Sequence, residues 1–551
     1  MPIVNDTSPP SAADARSRLA RNSFLVGACT GLSRILGFAR DTALGALLGS
    51  TPTHEALKLA FSIPNFLRRL FGEGALTAVF LPIFQREQTR AGGAGARETV
   101  SVVGGAQVFL LVFLALAGSG FCYFLPPSVL AQFLDKNPER APLLLQYLTI
   151  LVPYLVPVCL YAFAMAILNA RGKFFIPAIA PFFQNVVALA AFFVAWGVAG
   201  DFKNPTLLTT EELDTAARIV AIGFLTGGVT MFLMQIPSLR AEGMWVRPKL
   251  KLTHPAFLEF AKNLLPMALS LGAVQLTVLL SSMVAFSVVA GGANVHLDYA
   301  ARIFQLPQGI VGSAVATAAF PNLSKFWQEK RFHDVRTELD RGLGLAIFLG
   351  AAAAAGLLAL AAPIVTVLFG YGKFDDVACA ETSKALVAFS FSIPFLTAVP
   401  LLARIFYAAG NTRTPSYVAA SLVIVDVGGA LLLARPYGVA GIAGAATATS
   451  ILNCMVLAYL LKGFPLPASP ALFGHILKIV ACAAACGIAA FATRFLFDNY
   501  IFAQPSRLLL AIEVAASIAA GAAALFGTAA ALQLPEVQDL GAAIRRRRAR
   551  H

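Results

Sequence analysis

Ser33-Arg34-Ile35-Leu36-Gly37-Phe38-Ala39-Arg40-Asp41 stands inside one apolar run. A second run follows with Glu55, Ile63-Pro64-Asn65-Phe66-Leu67-Arg68-Arg69, Glu73-Gly74-Ala75 and Pro82. Each run is long enough to cross a bilayer, yet together they hold four arginines and three carboxylates. A guanidinium at the membrane centre costs roughly 2.5–3.5 kcal/mol even on lenient insertion scales, so four facing lipid would cost on the order of 10 kcal/mol. These side chains must therefore face a wet cavity or a partner.

The rest of the chain supports a membrane reading. Of its 551 residues 58% are hydrophobic and only 13% charged, with a mean hydropathy of +0.75. Repeated apolar runs of this length read as transmembrane helices, and their continuity, without alternation, excludes a β-barrel. The formal net charge of +14 would point to nucleic acid in a soluble protein. Here the charges cluster in alternate loops, so membrane orientation accounts for them and no nucleic-acid partner is expected. The seven cysteines form no CxxC pair and six lie in apolar runs. They read as small core residues, with neither a disulfide framework nor a metal site.

Spans are expected at residues 22–49, 55–85, 99–125, 141–170, 174–199, 215–239, 256–290, 297–327, 340–369, 383–410, 415–434, 439–462, 472–497 and 507–533, about fourteen in all. With the N-terminus inside, the inner connections carry Arg86, Arg90, Arg97, Arg171, Lys173, Arg240, Arg247, Lys249 and Lys251. Further on they carry Lys325, Lys330, Arg331, Arg336, Arg341, Arg413, Lys462 and the arginines of the tail. The outer ones are neutral or acidic, as at Glu211-Glu212 and Asp375-Asp376. This positive-inside pattern puts both termini in the cytoplasm. The first apolar run continues through Arg34 and Arg40, so it reads as a retained span, not as a cleaved signal peptide.

An internal repeat organises these spans. Gly172 precedes Pro177 by the same spacing as Gly410 precedes Pro415, 238 residues later. Phe61-Ser62-Ile63-Pro64-Asn65 is likewise matched by Phe304-Gln305-Leu306-Pro307-Gln308. A six-span repeat returns the chain to its starting side, so the two copies are parallel and related by an axis along the membrane normal. The expected fold is an all-α polytopic membrane protein, with two pseudo-symmetric six-helix lobes around a central cavity and two extra C-terminal helices. The expected divisions are a disordered segment at 1–20, an N-lobe at 21–245, a C-lobe at 246–465, the extra spans at 466–535 and a basic cytoplasmic tail at 536–551.

The charged residues admit two readings, a salt-bridged packing cluster or an anion site. Asp41 has arginines nearby, Glu73 lies one turn beyond Arg69, and Glu55 and Arg40 lie where a span end or rim would solvate them. Arg34 and Arg68 are left over, and Arg302 adds a third cation with Asp298 one turn before it. Arginine suits phosphate because its planar fork donates bidentately and stays protonated. Lys58 and Arg404 lie near span ends, where they can snorkel. Pro64 and Pro307 mark bends. Asp426, in Val423-Ile424-Val425-Asp426-Val427, is a lone intramembrane acid, either a sodium or proton site or a hydrogen-bonded core acid.

At these residues the chain resembles a known family. Ser33 to Asp41, Ile63 to Phe84, Leu168 to Asn185 and Tyr299 to Gln308 are similar to motifs of the MurJ (MviN-type) lipid II flippases, within the multidrug/oligosaccharidyl-lipid/polysaccharide exporter superfamily. The resemblance implies transport of the undecaprenyl-diphosphate-linked peptidoglycan precursor from the inner to the outer leaflet of the bacterial cytoplasmic membrane by alternating access, without enzymatic chemistry. It implies that Arg34, Arg68 and Arg302 hold the pyrophosphate, and that Arg40 and Glu55 belong to the same functional set. Asp41, Arg69, Glu73, Pro64 and Asn65 support them. The two extra spans would groove the polyprenyl tail.

Two departures from the family pattern stand out: Ala301 replaces an acid beside the cavity arginine, and Glu55 replaces Asp. Ser281 occupies a position where some members place a sodium ligand, so only Asp426 supplies a carboxylate there. No cofactor is expected, a coupling cation stays open, and the expected partners are lipid II and membrane lipids, with the protein acting as a monomer. Two other functions fit the sequence less well. An exporter of drugs would want an acidic or aromatic cavity, although export of another lipid-linked oligosaccharide would not. A polyprenyl-phosphate glycosyltransferase would need a catalytic loop domain that no inter-span connection is long enough to hold.

Overall fold

The computed structural model describes residues 12–69, 75–134, 138–198, 208–467, 472–501 and 506–537. Among these residues the regular structure is helical throughout, with no strand. In chain order the first helices are α1 (Ala12–Leu48), α2 (Pro52–Leu67), α3 (Ala75–Phe124), α4 (Pro127–Ala131), α5 (Arg140–Leu151), α6 (Leu155–Ala170), α7 (Phe175–Val198), α8 (Thr210–Leu233) and α9 (Ile236–Ala241). The remainder are α10 (Pro255–Val288), α11 (Ala293–Gln328), α12 (Phe332–Phe369), α13 (Asp376–Ser390), α14 (Ile393–Ala408), α15 (Arg413–Leu460), α16 (Leu472–Leu496) and α17 (Arg507–Ala531). Because α1 starts at Ala12, residues 12–20 of the segment expected to be disordered are helical. Residues 1–11 and the arginine tail lie outside the described residues.

Among the described residues nine helices or joined helix pairs are long and apolar enough to span a membrane, ten if α13 and α14, bent by 43° at their junction, form one span. The expected fourteen is consistent with this. Two of these helices, α3 and α15, each turn at a glycine, Gly92 (φ 62°) and Gly438 (φ 58°). That backbone region is closed to most L-residues, so the helix kinks there; α15 covers the two spans expected at 415–434 and 439–462, and α3 the end of the span at 55–85 and that at 99–125. α1 and α10 lie over the spans expected at 22–49 and 256–290.

The chain forms two compact units. The first comprises Met1–Leu47, Ala60–Val129 and Ala141–Gly272, and the second Leu48–Leu59, Leu130–Arg140 and Ala273–His551. This division departs from the expected boundary at residue 245. Two short pieces of the first half, the start of α2 and the approach to α5, belong with the second unit, and the first half of α10 belongs with the first unit.

In the first unit, Phe80, Phe84 and Val103 of α3 pack with Phe163, Ile167 and Leu168 of α6 and with Leu239 of α9. The segment after α9 lies along α3: Lys249 N–H donates to the Ser101 carbonyl at 2.9 Å, and Ser101 Oγ donates to the Arg247 carbonyl at 2.5 Å. In the second unit, Leu323, Leu339, Leu401, Ile405 and Phe406 join α11, α12 and α14. Phe348 of α12 packs with Ile479, Cys482 and Leu525, which ties α16 and α17 to this unit.

Candidate functional site

In the first unit α1 presents Arg34 and Arg40 to different surroundings. Arg34 is exposed, near the middle of the span expected over residues 22–49, with no hydrogen-bond or ion-pair partner among the described residues. Arg40, by contrast, is buried. Its Nη2 pairs with Asp41 Oδ1 at 2.9 Å, and its Nη1 donates to Asn185 Oδ1 at 2.9 Å. Asn185 Nδ2 donates in turn to the Ser33 carbonyl at 3.0 Å. The guanidinium carbon sits 5.2 Å from the centroid of the Phe224 ring. One amide on α7 thus binds both a side chain and a main-chain group of α1. This arrangement places Arg40 away from the solvated rim where the sequence allowed it.

Arg68 and Arg69 continue α2 in a π-helical turn just beyond Leu67. Arg68 is half-buried, and its Nε donates to Asn65 Oδ1 at 2.9 Å, one turn back. That bond orients the guanidinium. Pro64 lies inside α2, where its missing N–H loosens the turn that carries Asn65. Arg69 is exposed. Its expected partner Glu73 lies outside the described residues.

The second unit holds Glu55, Lys58, Arg140, Asp298 and Arg302. Glu55 is fully buried and Arg140 nearly so, with Arg140 Nη2 2.8 Å from Glu55 Oε2. The contact is an ion pair by distance, without hydrogen-bond alignment at the carboxylate. Arg140 Nη1 donates to the Phe286 carbonyl at 2.7 Å and to the Val289 carbonyl at 3.3 Å, which satisfies acceptors at the end of α10. Asn294 Nδ2 donates to the Glu55 carbonyl at 2.9 Å, fastening α11 to α2. Glu55, which the sequence placed at a solvated span end, is instead a buried anchor. Arg140 was absent from the sequence reading, since it lies just before the expected span at 141–170 and 85 residues from its partner.

Arg302 is one-third exposed, and its Nε donates to Asp298 Oδ2 at 2.9 Å on the same face of α11. Lys58 Nζ reaches the same oxygen at 2.6 Å. Two cations therefore share one carboxylate. Elsewhere in this unit Ser281 Oγ donates to Asp426 Oδ2 at 3.0 Å, so this acid has a hydroxyl partner on α10. Arg404 lies 4.8 Å from the centroid of the Phe320 ring.

The chemistry that guanidinium groups offer is the binding of anions. Guanidinium groups lie on helices of the expected spans, and that of Arg34 is exposed and partnerless among the described residues. Ion pairs and an amide hold the helices that carry them.

Comparison with known proteins places the chain in a family. Residues 44–509 match the sequence model of the family described as Lipid II flippase MurJ. The probable lipid II flippase MurJ of Rhizobium meliloti is 30% identical over 442 residues, covering 80% of each chain. That of Bdellovibrio bacteriovorus is 29% identical over 530 residues, covering 95% of this chain and 97% of its own. Among solved structures, a lipid II flippase MurJ in an inward closed conformation superposes with a TM-score of 0.73 at 24% identity, over 92% of this chain and 99% of that one. An inward-facing multidrug resistance transporter of the MATE family gives 0.61 at 15% identity, over 81% and 95%. Likeness at those identities speaks to the fold alone, whereas the family match spans most of the sequence. The chain is a member of the MurJ lipid II flippase family.

Proposed function

We propose that this chain carries lipid II, the undecaprenyl-diphosphate-linked peptidoglycan precursor, from the inner to the outer leaflet of the bacterial cytoplasmic membrane by alternating access. The observation that carries the reading is Arg34, a charged side chain in mid-span, exposed and without a partner among the described residues. A guanidinium there is tolerable only in water or against an anion, and a diphosphate matches its fork. Arg68, oriented by Asn65, and Arg302 supply further positive charge. Arg40, Asp41 and Glu55 act as positioning residues through the helices they fix.

Flipping makes and breaks no covalent bond. The head group needs a shielded polar path, and the tail needs an apolar surface, which α16 and α17 supply. The sign of the charge separates this substrate from the cationic drugs that a site of opposite polarity would attract. Both termini lie in the cytoplasm by the loop-charge pattern, and the protein acts as a monomer. Asp426 with Ser281 is the place where a coupling sodium ion or proton would act.

The test is complementation of a bacterium depleted of its own flippase. Arg34→Ala, Arg68→Ala and Arg302→Ala, each present in the membrane at wild-type level, should fail to sustain wall synthesis. Normal growth with all three changed together would end the anion-site reading.

A further inference from the structure

Within the second unit α12 and α13 both bend, and the bends leave main-chain acceptors for side chains to satisfy. Pro363 lies inside α12 and has no N–H, so the Ala359 carbonyl one turn before it loses its helical donor. Arg494 of α16 takes that place, with Nη1 donating to the Ala359 carbonyl at 3.3 Å. At the 43° bend between α13 and α14, Ser392 N–H donates to the Phe389 carbonyl, and Thr447 Oγ1 of α15 donates to the Ala388 carbonyl at 2.7 Å. Between these helices lies a cavity of about 790 Å³, with Leu358, Ala361, Val387, Phe391, Ala440 and Gly444 in its wall.

The wall is apolar apart from two hydroxyls and two cations. The hydroxyls, of Ser383 and Thr447, are both spent on main-chain carbonyls. Among the described residues that line the cavity the charged ones are Lys384 and Arg494. Lys384 pairs with Glu381 at 2.7 Å and Arg494 Nε lies 3.3 Å from Asp498, but neither acid lines the cavity. Lys384 stands at the start of the span expected at 383–410 and Arg494 near the end of that at 472–497. Basic side chains so placed meet phosphate head groups. Phe391 and Lys384 are exposed, so the cavity is reached from the surface.

We propose that this cavity binds one anionic phospholipid, with an acyl chain along the apolar wall and the phosphodiester at Arg494 and Lys384. Arg494 keeps one arm on the Ala359 carbonyl and offers the rest of its fork to phosphate. Each cation already holds an acid, so the site suits the single charge of a phosphodiester better than a diphosphate. The bilayer supplies that ligand in excess, and an apolar cavity takes up hydrocarbon in preference to water. A lipid held there would tie α16 to α12 and α13. The inference is independent of the arginines assigned to lipid II.

The test uses the full chain carrying Phe391→Trp in phosphatidylcholine vesicles, where phospholipids with brominated chains quench tryptophan fluorescence. The difference from the chain without that change isolates the signal at residue 391. Phosphatidylglycerol should be preferred there over phosphatidylcholine about tenfold, Lys384→Gln or Arg494→Gln should cut the preference to about threefold, and both together should abolish it, as two basic side chains at a head group predict. Gly444→Leu should abolish it with the charges intact. A Cβ at Gly444 meets no atom within 4 Å, so the larger side chain is accommodated and takes the place of the acyl chain.

Equal quenching by the two lipids, or a preference that survives the paired charge changes, overturns the proposal. A preference that Gly444→Leu leaves intact belongs to a surface patch, not to the cavity, and overturns it too. Should Arg494→Gln not fold, Lys384→Gln and Gly444→Leu decide. Displacement of phosphatidylglycerol by equimolar farnesyl diphosphate overturns the phospholipid assignment, and displacement by inorganic phosphate overturns the part given to the acyl chain. Failure of the flippase variants in complementation leaves each of these results unchanged.

Discussion

Arg140→Met should destabilise the second unit far more than its single lost contact suggests. Glu55 is fully buried and Arg140 is 1% exposed, so the variant leaves a carboxylate in the interior with no countercharge. Breaking a buried pair in this way costs about 3–5 kcal/mol. The Phe286 and Val289 carbonyls lose a shared donor as well. Removing both charges, as Glu55→Leu with Arg140→Met, costs much less, because each ion's desolvation penalty disappears with it. What is left is mainly the unsatisfied carbonyls, about 1–2 kcal/mol.

The assay is thermal unfolding of the detergent-solubilised protein, read with a thiol-reactive dye. Seven free cysteines, among them buried Cys379, Cys482 and Cys486 of this unit, report its opening. At about 2–4 °C per kcal/mol for a unit of this size, the single variant should melt about 10 °C below the wild type and the double variant about 4 °C below. A single variant within 2 °C of the wild type, or a double variant melting as low as the single, would refute the claim that this pair is an uncompensated-charge trap.

Other consequences are as direct. Asn185→Leu should lower stability by about 2 kcal/mol, the cost of stripping a buried arginine and a main-chain carbonyl of their shared partner, and the same melting assay reads it. Asn65→Ala should leave the protein folded but weaken its binding of farnesyl diphosphate severalfold, because Arg68 loses the bond that orients it; unchanged affinity would count against that role. Gly105→Ala should collapse the level of folded protein in membranes, since a Cβ there lands on the Lys249 backbone that crosses α3, and normal levels would show that this crossing is loose. If Asp426 with Ser281 is the coupling site, Asp426→Asn should abolish any dependence of transport on a sodium or proton gradient while preserving diphosphate binding.

What could be read from the sequence was whatever depends on local spacing. Apolar runs gave the helices, and the cost of intramembrane charge singled out Arg34, Arg68 and Arg302. Asp298 was visible as a partner for Arg302 because both lie on one helix, a turn apart. Asp426 was visible as a lone acid, and the structure adds the Ser281 hydroxyl at 3.0 Å. Contacts between distant segments were not legible. Arg140 looked like a loop residue at the edge of a span, and only the fold brings it to Glu55. Lys58 looked like a snorkelling side chain because nothing in its own neighbourhood requires an acid, its partner being 240 residues away. Asn185 ends the motif that starts at Leu168, and nothing beside it in the sequence shows its partners. The signal was present in a polar amide within an apolar run, in a chain that also had an intramembrane arginine to satisfy.

The central claim, that guanidinium groups in the membrane hold the diphosphate of a lipid being moved, is tested most directly by transfer itself. Purified protein in vesicles loaded with lipid-linked peptidoglycan precursor in one leaflet should move it to the other, with and without an imposed potential or sodium gradient. Arg34→Ala with Arg302→Ala, folded by the melting assay, should leave only the rate of protein-free vesicles. Transfer by that double variant at the wild-type rate would contradict the account.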